Sequence, residues 1–283
     1  MSQLWSDPTD AQYPRVYVRQ LRQTAEADPE RPHYILTKTG IGYRLRARLN
    51  GARLQALACH PILRARFGVC AMADELVLYT NPMSRGRVAR WMLEEIGEPY
   101  KVEVVDYASS MKGPAYLAIN PMGKVPALRH GDAVVTETAA ICAYLADAFP
   151  RARLAPPPGD RLRAPYYRWL FFSAGPFEAA ASNKVLGFVV PPERERMIGY
   201  GNFAKTISTL EAAISSADYL VGNRFSAADL YVGAQIGFGM MFGTLEPRPA
   251  FERYWQRLSA RPAYAQAKQL DDDKAAELKK AAG

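Results

Sequence analysis

Residues 123–145, reading Gly-Lys-Val-Pro-Ala-Leu-Arg-His-Gly-Asp-Ala-Val-Val-Thr-Glu-Thr-Ala-Ala-Ile-Cys-Ala-Tyr-Leu, constrain the fold of this chain more than any other stretch. Val125, Pro126, Ala127 and Leu128 read as an extended piece entering a strand. Arg129, His130, Gly131 and Asp132 are turn chemistry, and Ala133, Val134 and Val135 are the returning strand. Glu137 and Thr138 then open a segment in which Ile141, Tyr144 and Leu145 recur at helical spacing. The pattern is a hairpin followed by a helix. Pro126 cannot donate to a sheet ladder, so it belongs at a strand's first residue or on an edge. A cis bond at that proline would let Val125 turn its N–H and C=O outward, toward a ligand. Glu137 and Thr138 lie where unpaired N–H groups and the helix dipole favour an anion. An open backbone edge beside an anion-accepting helix start suits a small peptide with a free carboxylate.

The chain has 283 residues, enough for two domains of ordinary size. With 49% hydrophobic and 23% charged residues it reads as globular, not disordered. The first residues carry charges and prolines and lack the apolar centre of a signal peptide. The longest uncharged apolar run, residues 230–245, falls short of the roughly 20 residues of a membrane span and reads as a buried helix. Cys59, Cys70 and Cys142 offer neither a disulfide framework nor metal-ligand spacing, so no metal is expected. A cytoplasmic protein without a membrane partner is the expectation.

The net charge of +8 is uneven: residues 1–71 hold 11 basic and 5 acidic residues, the rest 25 and 23. Within that basic quarter, residues 16–22 read as a basic amphipathic helix. Residues 33–45, with Gly40-Ile41-Gly42-Tyr43-Arg44, read as a hairpin. This tail is similar to the end of the winged-helix DNA-binding domain of two-component response regulators. The earlier elements of such a domain are absent, and a helix plus one hairpin buries too little apolar surface to stand alone. The reading is a truncated, non-functional remnant, and nucleic acid is not the expected partner. Residues 49–71 are a connector without a convincing period, and Met72 stands three residues before the strand expected at 75–79.

Residues 75–79 read as a short buried strand, followed by a loop, Thr80 to Arg87, into a helix. That helix carries its apolar stripe on Val88, Ala89, Met92, Leu93 and Ile96, with Arg87, Arg90, Glu94 and Glu95 mostly on other faces. Gly97 closes it. Residues 100–107 are the next strand. After a proline-rich linker at 151–165 no strand pattern remains. Tyr166, Trp169, Leu170 and Phe172 to Phe177 read as aromatic-rich helix, and Phe203, Ile207, Leu210 and Ile214 follow a helical period. Ser226 with Asp229 reads as a capping box. Gly233, Gly237, Gly239 and Gly243 each cost about 1 kcal/mol relative to Ala in a helix, so close packing must compensate. Residues 268–283 read as a charged, frayed tail.

Asn120-Pro121-Met122-Gly123-Lys124-Val125-Pro126-Ala127-Leu128 followed by Glu137-Thr138 resembles the glutathione-binding half of the glutathione S-transferase family. The family usually has Glu-Ser in the second place, and Thr138 keeps the hydroxyl. The resemblance covers about residues 74–270. It implies an α+β chain, with a thioredoxin-like N-terminal domain followed by an all-helical C-terminal domain. The expected division is a basic extension at 1–71, the thioredoxin-like domain at 72–150, a linker at 151–165, the helical domain at 166–270 and a tail at 271–283. It also implies a glutathione transferase, commonly homodimeric and cytoplasmic, that serves detoxification by directing the glutathione thiolate at a small hydrophobic electrophile. Glutathione is then a co-substrate.

A free thiol has a pKa near 8.5, so an enzyme of this kind must stabilise S⁻ with a hydrogen-bond donor and positive potential. By resemblance the donor is Ser84, at the loop-to-helix junction, or Tyr79, at the end of the first strand. Ser84 is equally a good helix cap and Tyr79 an ordinary core aromatic. Arg85 either adds positive potential or is a solvated helix residue. For glutathione, the resemblance assigns Lys124, Val125 and Pro126 to the cysteinyl backbone, and Glu137 and Thr138 to the γ-glutamyl end. Lys124 or Lys112 would reach the glycyl carboxylate. His130 reads as a turn residue and Cys142 as packing. Tyr166, Trp169, Phe172 and Met240 are the expected lining for the electrophile. Two readings of another class stand beside this one: a non-catalytic interaction protein on the same fold, and a DNA-binding protein acting through residues 13–48.

Overall fold

The computed structural model describes residues 75–282. Before them it describes Val18, Arg22, Glu26, Asp28, Glu30 and Arg31, and the backbone of two strands. The chain forms two compact units, Met1–Asp74 and Glu75–Gly283. In the first, β1 (Ile35–Lys38) and β2 (Gly42–Leu45) pair antiparallel, with Ile35 opposite Leu45 and Lys38 opposite Gly42. This is the hairpin expected around Gly40-Ile41-Gly42. The helix expected at 16–22 lies outside the described residues apart from Val18 and Arg22, which are helical.

The second unit opens with β3 (Leu76–Thr80), α1 (Gly86–Ile96) and β4 (Tyr100–Val104), in which β3 and β4 are parallel. A short helix, α2 (Pro114–Leu117), leads to the hairpin of β5 (Ala127–His130) and β6 (Ala133–Thr136), and α3 (Thr138–Ala148) comes after it. The sheet order is β4-β3-β5-β6, with β5 antiparallel to both neighbours, a thioredoxin-like arrangement. Alternation along β3 sends Leu76 and Leu78 to the face packed by α1 and α3. Tyr79 goes to the opposite face, with Val105, Met111, Tyr116 and Ala127. Gly97 ends α1 at φ +75°, its N–H on the Leu93 carbonyl at 3.0 Å. β4 stops three residues earlier than expected. Asp106 folds the chain there into a turn, its carboxylate accepting the N–H groups of Ala108 and Ser109, both at 2.9 Å.

The rest is helical: α4 (Arg163–Phe172), α5 (Glu178–Val185), α6 (Phe203–Ser215), α7 (Ala227–Met241), α8 (Pro249–Ser259) and α9 (Pro262–Ala282). Between α4 and α5 the helix widens into a π-turn at Ser173–Phe177. Pro176 lies inside it, and a proline there has no N–H to give to the ordinary ladder. Ser226 and Asp229 form the expected capping box of α7. Asp229, fully buried, also accepts the Leu220 N–H at 2.7 Å and the Tyr254 hydroxyl at 2.8 Å. Burial still pushes its carboxyl up. The glycines of α7 are close-packing sites: a Cβ at Gly233 would meet Leu258 at 2.3 Å, and one at Gly237 the Trp255 ring at 2.7 Å.

Two expectations need correction. The frayed tail expected at 268–283 is not what residues 268–282 form, since α9 runs through them to Ala282 with Asp271 fully buried against α1. Its partner there is Arg90, which the helical period sets mostly off the apolar stripe of α1 and which is only 5% exposed. A 21-residue helix rich in Asp and Lys reads as solvated when its partners lie about 180 residues away in sequence.

Candidate functional site

The turn between β3 and α1 is built around Asn81, a buried residue the sequence did not single out. Its Nδ2 donates to the Val105 carbonyl at 3.0 Å, and its Oδ1 accepts the Met83 N–H at 3.0 Å. Its own carbonyl accepts the Ser84 N–H at 3.0 Å and the Ser84 hydroxyl at 2.6 Å. The Ser84 Oγ in turn accepts the Gly86 N–H at 2.9 Å. Only glycine fits at position 86, where a Cβ would fall 1.7 Å from the Thr80 hydroxyl. Ser84 thus sits at the mouth of α1 as a turn cap, half-buried, with its oxygen at the open helix end.

The second wall is the segment before β5. The Val125–Pro126 peptide is cis. The β5–β6 ladder ends at the Ala127–Thr136 pair. Neither the N–H nor the C=O of Val125 is hydrogen-bonded within the described residues. The Lys124 carbonyl beside it is fixed by the Tyr116 hydroxyl at 2.6 Å and the Asn120 Nδ2 at 2.8 Å. Burial pushes the Tyr116 phenol up to about 12, so it stays a donor. Lys112 is tied to the loop, its Nζ donating to the Gly123 carbonyl at 2.8 Å. The Lys124 ammonium has no partner among the described residues and is exposed.

The third wall is the start of α3. Glu137 has φ +66°, unusual for a residue with a side chain, and such positions gather at ligand sites. Its carbonyl accepts the Ile141 N–H at 2.9 Å, the first bond of the helix. No side chain caps this end, so the N–H groups of Thr138, Ala139 and Ala140 are open among the described residues. Thr138 is 9% exposed at that end. Further along the same helix, Cys142 is sealed in the core, and burial pushes its thiol up to about 12. His130 is more than a turn residue: it ends β5 and its Nδ1 lies 2.9 Å from the Tyr144 hydroxyl on α3.

These walls surround a cavity of about 1290 Å³. It brings together Ser84, Lys112, Lys124, Val125, Pro126, Glu137 and Thr138. Tyr79 is not in its lining. Its phenol lies 3.4 Å from the Arg129 Nε, and its ring 6.0 Å from that of Tyr116. The opposite wall comes from the helical half: Phe177 in the π-turn, Val185 and Leu186 at the end of α5, and Phe238, Met241 and Phe242 at the end of α7. The expected electrophile lining falls elsewhere. Tyr166 and Trp169 are buried in the core, while Phe172 and Met240 pack against it. Helical aromatics seen in sequence do not reveal which side faces a second domain. Arg85 spans the cavity to an ion pair with Glu178, at the head of α5.

The cavity thus lies between a thioredoxin-like sheet, with its unpaired strand edge and open helix N-terminus, and an apolar wall of helices. Residues 83–148 match the model of the glutathione S-transferase N-terminal domain, and residues 177–262 that of its C-terminal domain. The chain is 30% identical to maize glutathione S-transferase 3 over 207 residues, covering 67% of this chain and 91% of the relative. It is 28% identical to glutathione S-transferase GST-4.5 of Xanthomonas campestris, covering 68% and 90%. Among solved structures, a glutathione transferase from Methylococcus capsulatus superposes with a TM-score of 0.58 at 28% identity, covering 70% of this chain and 98% of that one. A sphingomonad glutathione S-transferase complexed with glutathione gives 0.58 at 28% identity, covering 69% and 98%. The chain belongs to the glutathione S-transferase family.

Proposed function

We propose that the protein is a glutathione transferase in which Ser84 stabilises the glutathione thiolate for attack on a small apolar electrophile. The observation that carries this is the single cavity on which Ser84, Val125, Glu137 and Thr138 converge. Glutathione binds with its cysteinyl backbone paired to Val125, whose N–H and C=O are open. Its γ-glutamyl carboxylate meets the Thr138 hydroxyl and the open N–H groups of α3, and its ammonium meets Glu137. Lys124, free of other partners among the described residues, takes the glycyl carboxylate, while Lys112 braces the loop. This places the sulfur near the start of α1. There the Ser84 proton swings from the Asn81 carbonyl to the sulfur. The Asn81 carbonyl keeps the Ser84 N–H, and the Gly86 N–H continues to polarise the Ser84 oxygen. The electrophile lies against Phe177, Phe238 and Phe242.

The glutathione-binding half is assigned to 72–150 and the electrophile-binding half to 166–270. A homodimeric, cytoplasmic detoxification enzyme is the corresponding setting, supported by the family alone. The basic extension is assigned as a winged-helix remnant, on the strength of its hairpin and residue pattern.

The test is ultraviolet absorbance of the bound thiolate across pH. Wild type is expected to bind glutathione with a thiol pKa well below the free value near 8.5. Ser84→Ala is expected to return it toward that value and to lower kcat/KM about 10²-fold. Tyr79→Phe is expected to change neither. Binding without a shifted pKa would favour the non-catalytic reading, in which Ser84 is only the turn cap it already forms.

A further inference from the structure

We propose that Arg87, held from the C-terminal helix by Asp272, is a positioning residue that fixes the turn presenting Ser84. The proposal rests on the transferase reading of the site. Residues 81–84 form the turn, and two side chains grip it from opposite directions. Asn81 anchors it to the sheet through the Val105 carbonyl. Arg87 grips it from the helix side, its Nε donating to the Pro82 carbonyl at 2.6 Å. Pro82 has no N–H, so that carbonyl is the one backbone polar group by which the residue can be held.

The other edge of the Arg87 fork is occupied by α9. Its Nη1 donates to the Asp272 Oδ1 at 2.7 Å, and the Asp272 Oδ2 takes the Lys268 ammonium at 2.6 Å. An isolated pair at this exposure, 25% and 40%, would hold little. Its neighbours change that. One turn along α1, Arg90 donates from Nε to the Asp271 Oδ1 at 2.8 Å, with side chains 6% and 1% exposed. Consecutive aspartates on α9 therefore grip two arginines one turn apart on α1. The buried pair sets the register, and Asp272 is delivered to Arg87. A guanidinium can bond two acceptors on adjacent edges at fixed angles, which an ammonium on a flexible stem cannot. Arg87, Lys268 and Asp272 also border the cavity itself. The C-terminal helix thus sets the aim of Ser84 from outside the glutathione-binding half.

Charge and position make opposite demands, which gives the test its edge. Removing the Asp272 carboxylate takes a negative charge from beside the site, and by charge alone should lower the pKa of a bound thiol. If the carboxylate works by holding Arg87, the same change loosens the turn and raises it. Full-length wild type, Asp272→Asn and Arg87→Lys would be titrated with glutathione, following thiolate absorbance across pH alongside the melting temperature. The expected result is a rise of about one unit in both variants, or tenfold less thiolate at a given pH below the transition. An unchanged or lowered pKa in Asp272→Asn overturns the proposal, as does an unchanged pKa in Arg87→Lys. So does a lowered melting temperature without a shift, which would make the contact a brace for α9 only. A wild type that forms no thiolate sinks the transferase reading, and this proposal with it, before any variant is compared.

Discussion

Cys142 lies on the helix whose start lines the site, yet its chemistry is closed. It is fully buried, and burial pushes its thiol up to about 12. An unfolded cysteine ionises near 8.5, so between that value and about 12 the unfolded chain holds fewer protons than the folded one. Stability is then lost as pH rises. The loss attributable to Cys142, wild type minus Cys142→Ala, is expected to approach 1.4 kcal/mol per pH unit above about 9. Urea titrations at pH 8, 9 and 10 check it, and equal slopes in the two proteins would refute it. Mass spectrometry after iodoacetamide at pH 8 should likewise find Cys142 unlabelled until the protein unfolds. At this scale the sequence was most legible where chemistry is local. The Val-Pro-Ala-Leu and Glu-Thr pairs identify their own neighbourhood, because a proline-led strand and a helix start carry their requirements with them. Asn81, Arg87 and Glu178 were not legible, because each acts through a partner 24 to 185 residues away.

Among the elements, α7 shows the clearest passage from pattern to structure. The Ser226–Asp229 box was readable because a cap is a local exchange of hydrogen bonds between side chain and backbone. What the sequence lacked was its extent, since the same carboxylate also receives Leu220 and Tyr254. Asp229→Ala would leave these donors buried without an acceptor. It is expected to cost about 3 kcal/mol, more than a simple cap, and a urea midpoint measures it. The glycines argue similarly. On propensity alone Gly237→Ala should stabilise a helix by about 1 kcal/mol. Because the new Cβ would lie 2.7 Å from the Trp255 ring, overpacking is expected to reverse the sign, for a net loss of about 1–2 kcal/mol. A gain in melting temperature would mean that α8 can slide away. The helical run through Phe172 to Phe177 was legible as helix but not as a π-turn. That turn changes which side of Phe177 and Glu178 faces the glutathione-binding half.

On the scale of the molecule, the second unit contains what its own stability requires. The main core runs from Leu76 to Ala267, drawing on the sheet, α1, α3 and the helical half alike. The four-stranded sheet is complete between residues 76 and 136. The buried Arg90–Asp271 pair ties the last helix to the first, and removing either partner would strand a buried charge. A unit closed in this way should not depend on the residues before it. Deleting residues 1–74 removes 11 basic and 6 acidic residues, most of the chain's excess positive charge. The shortened protein is expected to melt within about 2 °C of the full chain, no more than the shift that a loss of about 1 kcal/mol would produce in a unit of this size. It should also hold glutathione with an unchanged thiol pKa. The contrast lies in the behaviour toward polyanions. If the basic residues bind nucleic acid, the full chain will retain duplex DNA at low salt, with an affinity falling steeply as salt rises, and the shortened chain will not. If the extension is inert, both will behave alike at physiological salt. A drop of several degrees on deletion would instead make residues 1–74 part of the folded enzyme, and their basic charge would then have to be explained by what it packs against.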